Sequence, residues 1–524
     1  MNEQNNYESI PQEKFAFVND GERIFDKKFD DKPIGYVRDA MNRFAKSKVS
    51  VVAGIIIAIM MVLSLVAPLA IRTHNSTFLV TTYAKMAPRV AALANAGIDT
   101  GYTNKTLSEK LFIKYLGIGV AAADTEATGM SVGESMDSDY QPILKIKSSS
   151  TSLGADKKET TTYNVRLEDY LAVGFLYKTI EQSEYASILA WQEETGIQVL
   201  YPLVADNEYN MDSTDANFWY KSVKGTPVSV DASGNVTKLK YSEDLVLEDN
   251  YKRDSDGNLI YYEYAGGGTT DTALYKVRVL YYNYYQYLYG AEPDYIFGTD
   301  SMGYDLALRL AGGVRLSLGL AIAIAVINFV IGAFYGSIEG YYGGAADLIM
   351  ERVSDIIYEM PFVVVATLFQ IHLANVVGVV PSMLFAFISQ GWIGTASLVR
   401  TQFYRFKNQE YVMAARTLGA SDMRVIWKHI FPNTLGTIVT SSALVIPGII
   451  LSESTISYLG IVKLSSTSFT SLGSLLADAS AIWINYPHLM LFPAGTISLL
   501  MICFNLFGNG LRDAFNPSLR GSED

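Results

Sequence analysis

Three ionisable side chains stand inside stretches that are otherwise apolar: Glu359, His372 and Glu453. A charge in hydrocarbon is costly. Each of them therefore either lines a polar path or is held by a partner, and the residue types alone leave both open. A second concentration of chemistry is a basic, polar island at 408–433, NQEYVMAARTLGASDMRVIWKHIFPN, set between long apolar runs. It reads as two short helices. Asn408 can cap the first, Glu410 puts an acid in its first turn, and Ala414 and Ala415 favour helix. Gly419, with easy access to positive φ, ends it. Ala420 follows in the turn, Ser421 or Asp422 can cap the second helix, Met423 to Ile430, and Pro432 suits the first turn of the next. Such a bracket does mechanical work rather than covalent chemistry. It is either a docking surface for another chain or an ordinary hairpin between two spans.

The remaining chemistry is sparse. There is no Gly-x-x-x-x-Gly-Lys-Ser/Thr loop to cradle ATP phosphates. His74, His372, His429 and His488 show no metal-ligand spacing, and Cys503, the single cysteine, lies in an apolar run. The expectation is a chain with no catalytic residue, no bound cofactor, no metal and no disulfide within it. Any energy for work must come from another chain.

These groups need elements to hold them. The chain has 524 residues, 49% of them hydrophobic, which is enough for several membrane spans but too polar for a protein that is all membrane. The net charge of −12 is uneven. Residues 73–297 hold about 19 basic and about 30 acidic side chains and about 24 of the 35 tyrosines. That composition describes an acidic, soluble insertion and argues against a nucleic-acid partner.

In order, residues 1–48 read as a polar cytoplasmic tail followed by either a basic amphipathic helix lying on membrane lipid or a charged lead-in. Residues 49–71 are uncharged and long enough to cross a hydrocarbon core of about 30 Å. Basic residues between Arg38 and Lys48 place the N-terminus inside, so residues 72–297 lie outside as an α+β domain. Within it, Glu168 to Gln192 has helical spacing, Ile197 to Val204 suggests a buried strand, and Ala273 to Tyr289 reads as one or two strands. Gly234 and Gly257 centre two hairpin turns, and Ser148 to Lys158 reads as loop. The run Tyr281, Tyr282, Tyr284, Tyr285, Tyr287, Tyr289 suits either structural packing or stacking on a ligand. Residues 298–520 then hold five more spans, near 315–337, 356–371, 376–399, 435–458 and 489–506, with a short helix, Leu472 to Ile484, between the last two. Arg400, Arg405, Lys407, Arg416, Arg424 and Lys428 put the 408–433 island inside, and this agrees with the orientation deduced from the N-terminus.

Four stretches resemble, in order, the C-type subunit of dipeptide/oligopeptide permeases among the ATP-binding-cassette importers. Gly298, Thr299, Asp300, Gly303 and Asp305 match its Gly-Thr-Asp-x-x-Gly-Arg-Asp signature, with Tyr304 in place of the Arg. Gly340-Tyr-Tyr-Gly-Gly344 is similar to its Gly-Tyr-Phe-Gly-Gly turn. Ala414, Ala415, Gly419, Ile430 and Pro432 match the ATPase-coupling motif, with Met413 in place of Glu and Phe431 in place of Leu. Gly508 to Pro517 resembles the family ending, with Asn509 and Asn516 in place of Asp. The resemblance implies a bacterial plasma-membrane protein with both termini cytoplasmic. Its fold would be the mainly α-helical, six-span type I importer permease. Its partners would be a B-type permease, two ATPase subunits that carry the ATP and Mg, and an extracytoplasmic peptide-binding lipoprotein. The substrate would be an oligopeptide or dipeptide, or, in the same fold, a nickel chelate or another small solute. Family members carry only a short loop where this chain has residues 73–297. A membrane-anchored surface receptor is a competing reading, although six spans and a coupling bracket exceed what an anchor needs.

Overall fold

Long uncharged runs rich in Ile, Leu, Val and Ala satisfy their backbone groups internally as helices, and these dominate both ends of the chain. The computed structural model describes residues 36–71, 78–96, 98, 100–153, 159–210, 214–268, 272–466 and 469–515. The expected N-terminal tail up to residue 35, and Asn516 and Pro517 of the ending motif, lie outside the described residues. Helix α1 (Tyr36–Lys46) meets α2 (Lys48–Ala70) at Ser47. Phe44 of α1 packs edge-on against Phe507, with ring centroids 5.4 Å apart.

The α+β region follows. It comprises α3 (Ala91–Asn95), β1 (Tyr102–Ser108), α4 (Glu109–Ala123), β2 (Ile143–Leu153), β3 (Glu159–Glu168), β4 (Phe175–Glu181), α5 (Gln182–Thr195), β5 (Leu200–Tyr201), β6 (Ser222–Val223), β7 (Thr226–Val230), β8 (Val236–Lys238), β9 (Tyr262–Gly267), β10 (Ala273–Leu280) and α6 (Tyr281–Tyr289). Its strands form three antiparallel sheets ordered β1-β3-β2, β4-β10-β5 with β9 also on β10, and β6-β7-β8. Two cores lie between them. One surrounds α4, where Phe112, Ile113 and Leu116 meet Trp219 and Tyr220. The other is built on tyrosine, with Tyr83 at its centre against Tyr170 and Tyr281 at about 5 Å.

Four expectations change here. The helical spacing of Glu168 to Gln192 resolves into β4 and α5, because Gly174 (φ 64°) breaks the chain and β10 captures the alternating run that follows. Ile197 to Val204 forms only the two-residue β5 and a bridge from Val204 to Tyr251. Ser148 to Leu153 belongs to β2, paired along β3, and is not a loop; 154–158 lies outside the described residues. The tyrosine run is helix α6, not strand. Tyr281, Tyr284 and Tyr285 recur at the helical period and are buried, which identifies them as packing groups. The two hairpin turns are present: Asp231 and Asp254 accept backbone N–H groups across Gly234 and Gly257.

The helical body continues with α7 (Leu306–Tyr342), α8 (Gly344–Tyr358), α9 (Phe362–Val377), α10 (Val379–Phe406), α11 (Glu410–Thr417), α12 (Asp422–Arg424), a π-helical turn (Val425–Ile430), α13 (Phe431–Ala443), α14 (Val445–Tyr458), α15 (Leu472–Ala479) and α16 (His488–Phe515). Among the described residues, α2, α7, α10, the run Asp422–Tyr458 and α16 are long and apolar enough to cross a membrane. Helices α8 and α9 make a sixth only if counted together, and they bend by 74°. The expected straight span from 356 to 371 is thus broken at Glu359–Pro361. Pro361 offers no N–H and disfavours helix in the residue before it.

Helices α7 and α10 approach each other closely along a seam of glycines. Gly332, Gly336 and Gly340 lie four residues apart on one face of α7. Added Cβ atoms there would come within 2.7, 2.1 and 2.7 Å of atoms on α10. Small residues at this period let two backbones approach closely where no hydrophobic effect drives helices together. Gly336→Val is therefore expected to push the helices apart, at a cost of at least about 1–3 kcal/mol, and to lower the thermal midpoint of the detergent-solubilised protein. Gly394→Ala, whose Cβ would meet nothing within 4 Å, is the control that should leave the midpoint unchanged.

Candidate functional site

The 408–433 island folds as a bracket: α11, a turn at Gly419, then α12 running through the π-helical turn into α13. Gly419 has φ 80° and open space around it, so it is required for its backbone conformation rather than for room. The capping differs from expectation. The first helix starts one residue later, with Gln409 rather than Asn408 at its N-cap, and neither Gln409 nor Ser421 caps through its side chain. Asp422, itself exposed, accepts a 2.5 Å hydrogen bond from the Tyr341 hydroxyl on α7. The Arg416 guanidinium lies 5.0 Å from the same tyrosine ring. Pro432 sits in the first turn of α13 without breaking the helix. The wide π-helical turn lies where this residue withholds an N–H.

The bracket has two faces. Val412, Val425, Ile426 and Ile430 are fully buried with Val399 and Phe403 of α10 and Ile438 of α13. Ala415 faces inward with them and Ala420 is half-buried. Glu410, Ala414, Ser421 and Pro432 face outward, as do Met413 and Met423. Leu418, at the tip, is 88% exposed. An apolar tip on a basic, rigidly seated support is a surface built to be covered.

Beside the bracket lies a group that sequence reasoning missed. Arg400 on α10 reaches Asp347 at 2.6 Å, Glu351 at 2.8 Å and Glu339 at 3.6 Å, while the Tyr404 hydroxyl donates to Asp347 at 2.5 Å. One guanidinium therefore ties α7, α8 and α10 together. In the sequence Arg400 counted only as one basic charge among several. The available signal was Asp347 and Glu351, four apart on one helix face with no nearby base to serve both. Arg352 does pair with Asp355, at 2.9 Å on the surface.

The signature turn at 298–305 sits at the other end of α7. Asp305 caps this helix, accepting from the Ala307 N–H at 2.8 Å. Asp300 accepts N–H bonds from Met302, Gly303 and Tyr304, each at 2.9 Å. Burial pushes its carboxyl above the ordinary range, and these three N–H groups with Arg309 only partly offset that. The Thr299 hydroxyl donates to the Tyr83 carbonyl and accepts from the Met86 N–H. Added Cβ atoms on Gly298 and Gly303 would fall 2.3 and 2.2 Å from the carbonyl oxygens of Met86 and Val80, so only glycine lets the two segments touch. Arg309 lies over the Tyr304 ring at 4.6 Å and 3.5 Å from Asp300, so a guanidinium reaches this turn from α7 although Tyr304 stands where the motif has Arg.

The three ionisable residues of the apolar runs are not brought together. Glu359 is exposed at the α8–α9 bend, and His372 is exposed on α9. Glu453 is buried in α14, where it accepts hydroxyl bonds from Ser317 at 2.9 Å and Ser457 at 3.0 Å.

Residues 329–521 match the family model described as the inner membrane component of binding-protein-dependent transport systems, and residues 35–88 match the N-terminal transmembrane domain of oligopeptide transport permease C. The oligopeptide transport system permease protein OppC of Bacillus subtilis is 39% identical over 233 residues, 44% of this chain and 73% of that relative. The chain belongs to the C-type permeases of oligopeptide and dipeptide transport systems. The dipeptide transport system permease protein DppC of Lactococcus lactis is likewise 39% identical, over 261 residues, covering 50% of this chain and 71% of its own length. Among solved structures, an inward-facing MetNI methionine transporter chain aligns with TM-score 0.34 and 16% identity, over 40% of this chain and 98% of that one. As a C-type permease the chain is a membrane-embedded subunit of an ATP-binding-cassette importer. The two family models leave residues 89–328 unmatched, and this gap contains most of the α+β region.

Removing the Arg400 side chain would leave the buried Glu339 and its two acidic neighbours uncompensated. Arg400→Ala is expected to cost about 2–4 kcal/mol and to be much worse than Arg400→Lys in a thermal melt of the purified permease. Equal melting of the two variants would show that the cluster does not hold these helices.

Proposed function

We propose that this permease is one half of the pore of an importer for oligopeptides or dipeptides. The substrate class is that named for its relatives. A second, B-type permease would complete the pore, two ATPase subunits would bind ATP and Mg, and a lipoprotein would deliver the peptide. Basic residues of the 400–428 segment favour the side of the membrane where ATP is, which puts the α+β region on the opposite side. In this orientation α8 and α9 act as one broken span, giving six. The observation that carries the coupling role is the contrast within the bracket: an inward face locked to α7 and α10, and an outward face with Leu418, Met413 and Met423 in the open.

Closure of the ATPase pair would push on this outward face. The push passes into α10 and α13 through buried Val412, Ile426 and Ile430, and into α7 through Tyr341–Asp422, so the helices move as rigid bodies between two arrangements of the pore. Met413, where the family motif has Glu, leaves Glu410 one turn earlier as the acid on the docking face. Glu359 and His372 lie exposed on the α8–α9 unit, where they are placed to face a solute path or the second permease. Glu453, enclosed by serines, serves better as an internal brace than as lining.

Leu418→Glu is expected to leave membrane insertion intact while abolishing peptide-stimulated ATP turnover in the assembled complex; turnover at the level of the parent complex would refute the docking role. For the α+β region, we propose contact with the delivering lipoprotein or with the outer surface of the second permease. Arg89 and Tyr295 pair backbone to backbone, so replacing residues 90–294 with a short turn should keep the permease folded and sharply lower peptide uptake. Full uptake by the shortened chain would remove this role.

A further inference from the structure

A cavity of about 380 Å³ opens beside α7, near the signature turn and away from the coupling bracket. Its walls are α7, the start of α10 and the segment just before α15. Gly312 and Gly319 lie two helical turns apart on the cavity face of α7, with Arg315 between them. A Cβ on either glycine would meet nothing within 4 Å. Within this chain these glycines therefore do not serve close packing, in contrast to Gly332, Gly336 and Gly340. Leaving off their side chains opens a groove.

Two guanidiniums line this groove, and they are differently committed. Arg309 is buried; it donates to the Ser466 carbonyl at 3.1 Å and faces Asp300, which offsets its charge. Arg315 is exposed and has no ion pair or hydrogen bond among the described residues. It stands roughly 14 Å along α7 from the helix start, in a wall that, apart from Arg309 and Thr470, is made of Leu384, Phe469 and similar apolar groups. Among the described residues, no Asp or Glu lines the cavity. An uncompensated cation in an apolar wall calls for an anion, and a planar guanidinium matches a carboxylate through two parallel hydrogen bonds.

We propose that Arg315 binds the C-terminal α-carboxylate of the transported peptide at the mouth of the pore, with the apolar groove beside it taking the peptide chain. This rests on the peptide-importer reading. A carboxylate from the second permease would satisfy Arg315 equally well in charge. A peptide end uses both features at once: the charge of Arg315 and the groove that Gly312 and Gly319 leave beside it.

Uptake of radiolabelled trialanine and of trialanine amide, measured in cells with the native transporter, separates these cases. The chain would be supplied as wild type, Arg315→Gln or Arg315→Lys, at equal abundance in the membrane. Arg315→Gln should lower trialanine uptake about tenfold and uptake of the amide less than twofold, and Arg315→Lys should recover part of the difference. Equal loss of both peptides would assign Arg315 to a partner contact, and unchanged uptake of both would remove it from the path; either result overturns the proposal. If deleting the chain leaves uptake of both peptides at the wild-type level, the peptide-importer reading falls, and this site falls with it.

Discussion

The contact on which the rest of the molecule depends is the backbone approach of α7 to α10 along Gly332, Gly336 and Gly340. In lipid, helices gain little from hiding apolar side chains, so association rests on packing density and on polar ties. The glycine seam supplies the first. The second is set around it: Arg400 with three carboxylates, Lys407 donating to the Gly340 carbonyl at 2.9 Å, and Tyr341 on Asp422. All of these need the helices at the separation that the glycines allow. Helix α7 also carries Asp305 at its first turn and Ser317 against Glu453 midway. One unbroken helix therefore joins the signature turn, the packed interior and the bracket at 408–433.

The α+β region hangs from the same helix through a neck of unusual chemistry. Arg89 is buried and bonds Glu168 at 2.5 Å and the Tyr282 hydroxyl at 2.6 Å, with Glu292 at 3.3 Å. Burial pushes the Glu168 carboxyl up to about 7 against the pull of Arg89. A pair of this kind adds little net stability, yet losing one partner strands the other, so it selects one seating of the region.

Much of the helical body was legible because its signals are local. An uncharged run must become a helix in lipid, Gly419 reports a backbone conformation, and Pro361 marks a bend even where a straight span was expected. The motif residues Ala415 and Ile430 are buried against the helices of this chain, a placement that depends on which way the bracket rolls against α10. The α+β region was harder to read. Whether Glu168 to Gln192 became helix or strand was settled by β10, about a hundred residues away, and the tyrosine run became a helix because its buried rings find Tyr83 and Tyr295. The Arg400 cluster was invisible for a related reason: its acids lie on α7 and α8, and only the glycine seam brings them to one guanidinium. Arg315 shows the converse. In sequence it looked like the boundary of a span, and only the structure shows that it has no ion pair or hydrogen bond among the described residues.

The neck has a consequence for how such a chain can be built. Residues 79–89 and 295–304 bond to each other, by Arg89 to Tyr295 and by Lys85 to Asp300, so the two ends of the insertion are neighbours before the insertion begins. The distance from α2 to α7 is then independent of how many residues lie between. Closing a long loop costs entropy that grows only slowly with its length, and here paired backbone already holds the ends. The region behaves as a cassette seated in a socket: a change in its length need not move the helices that hold its two ends.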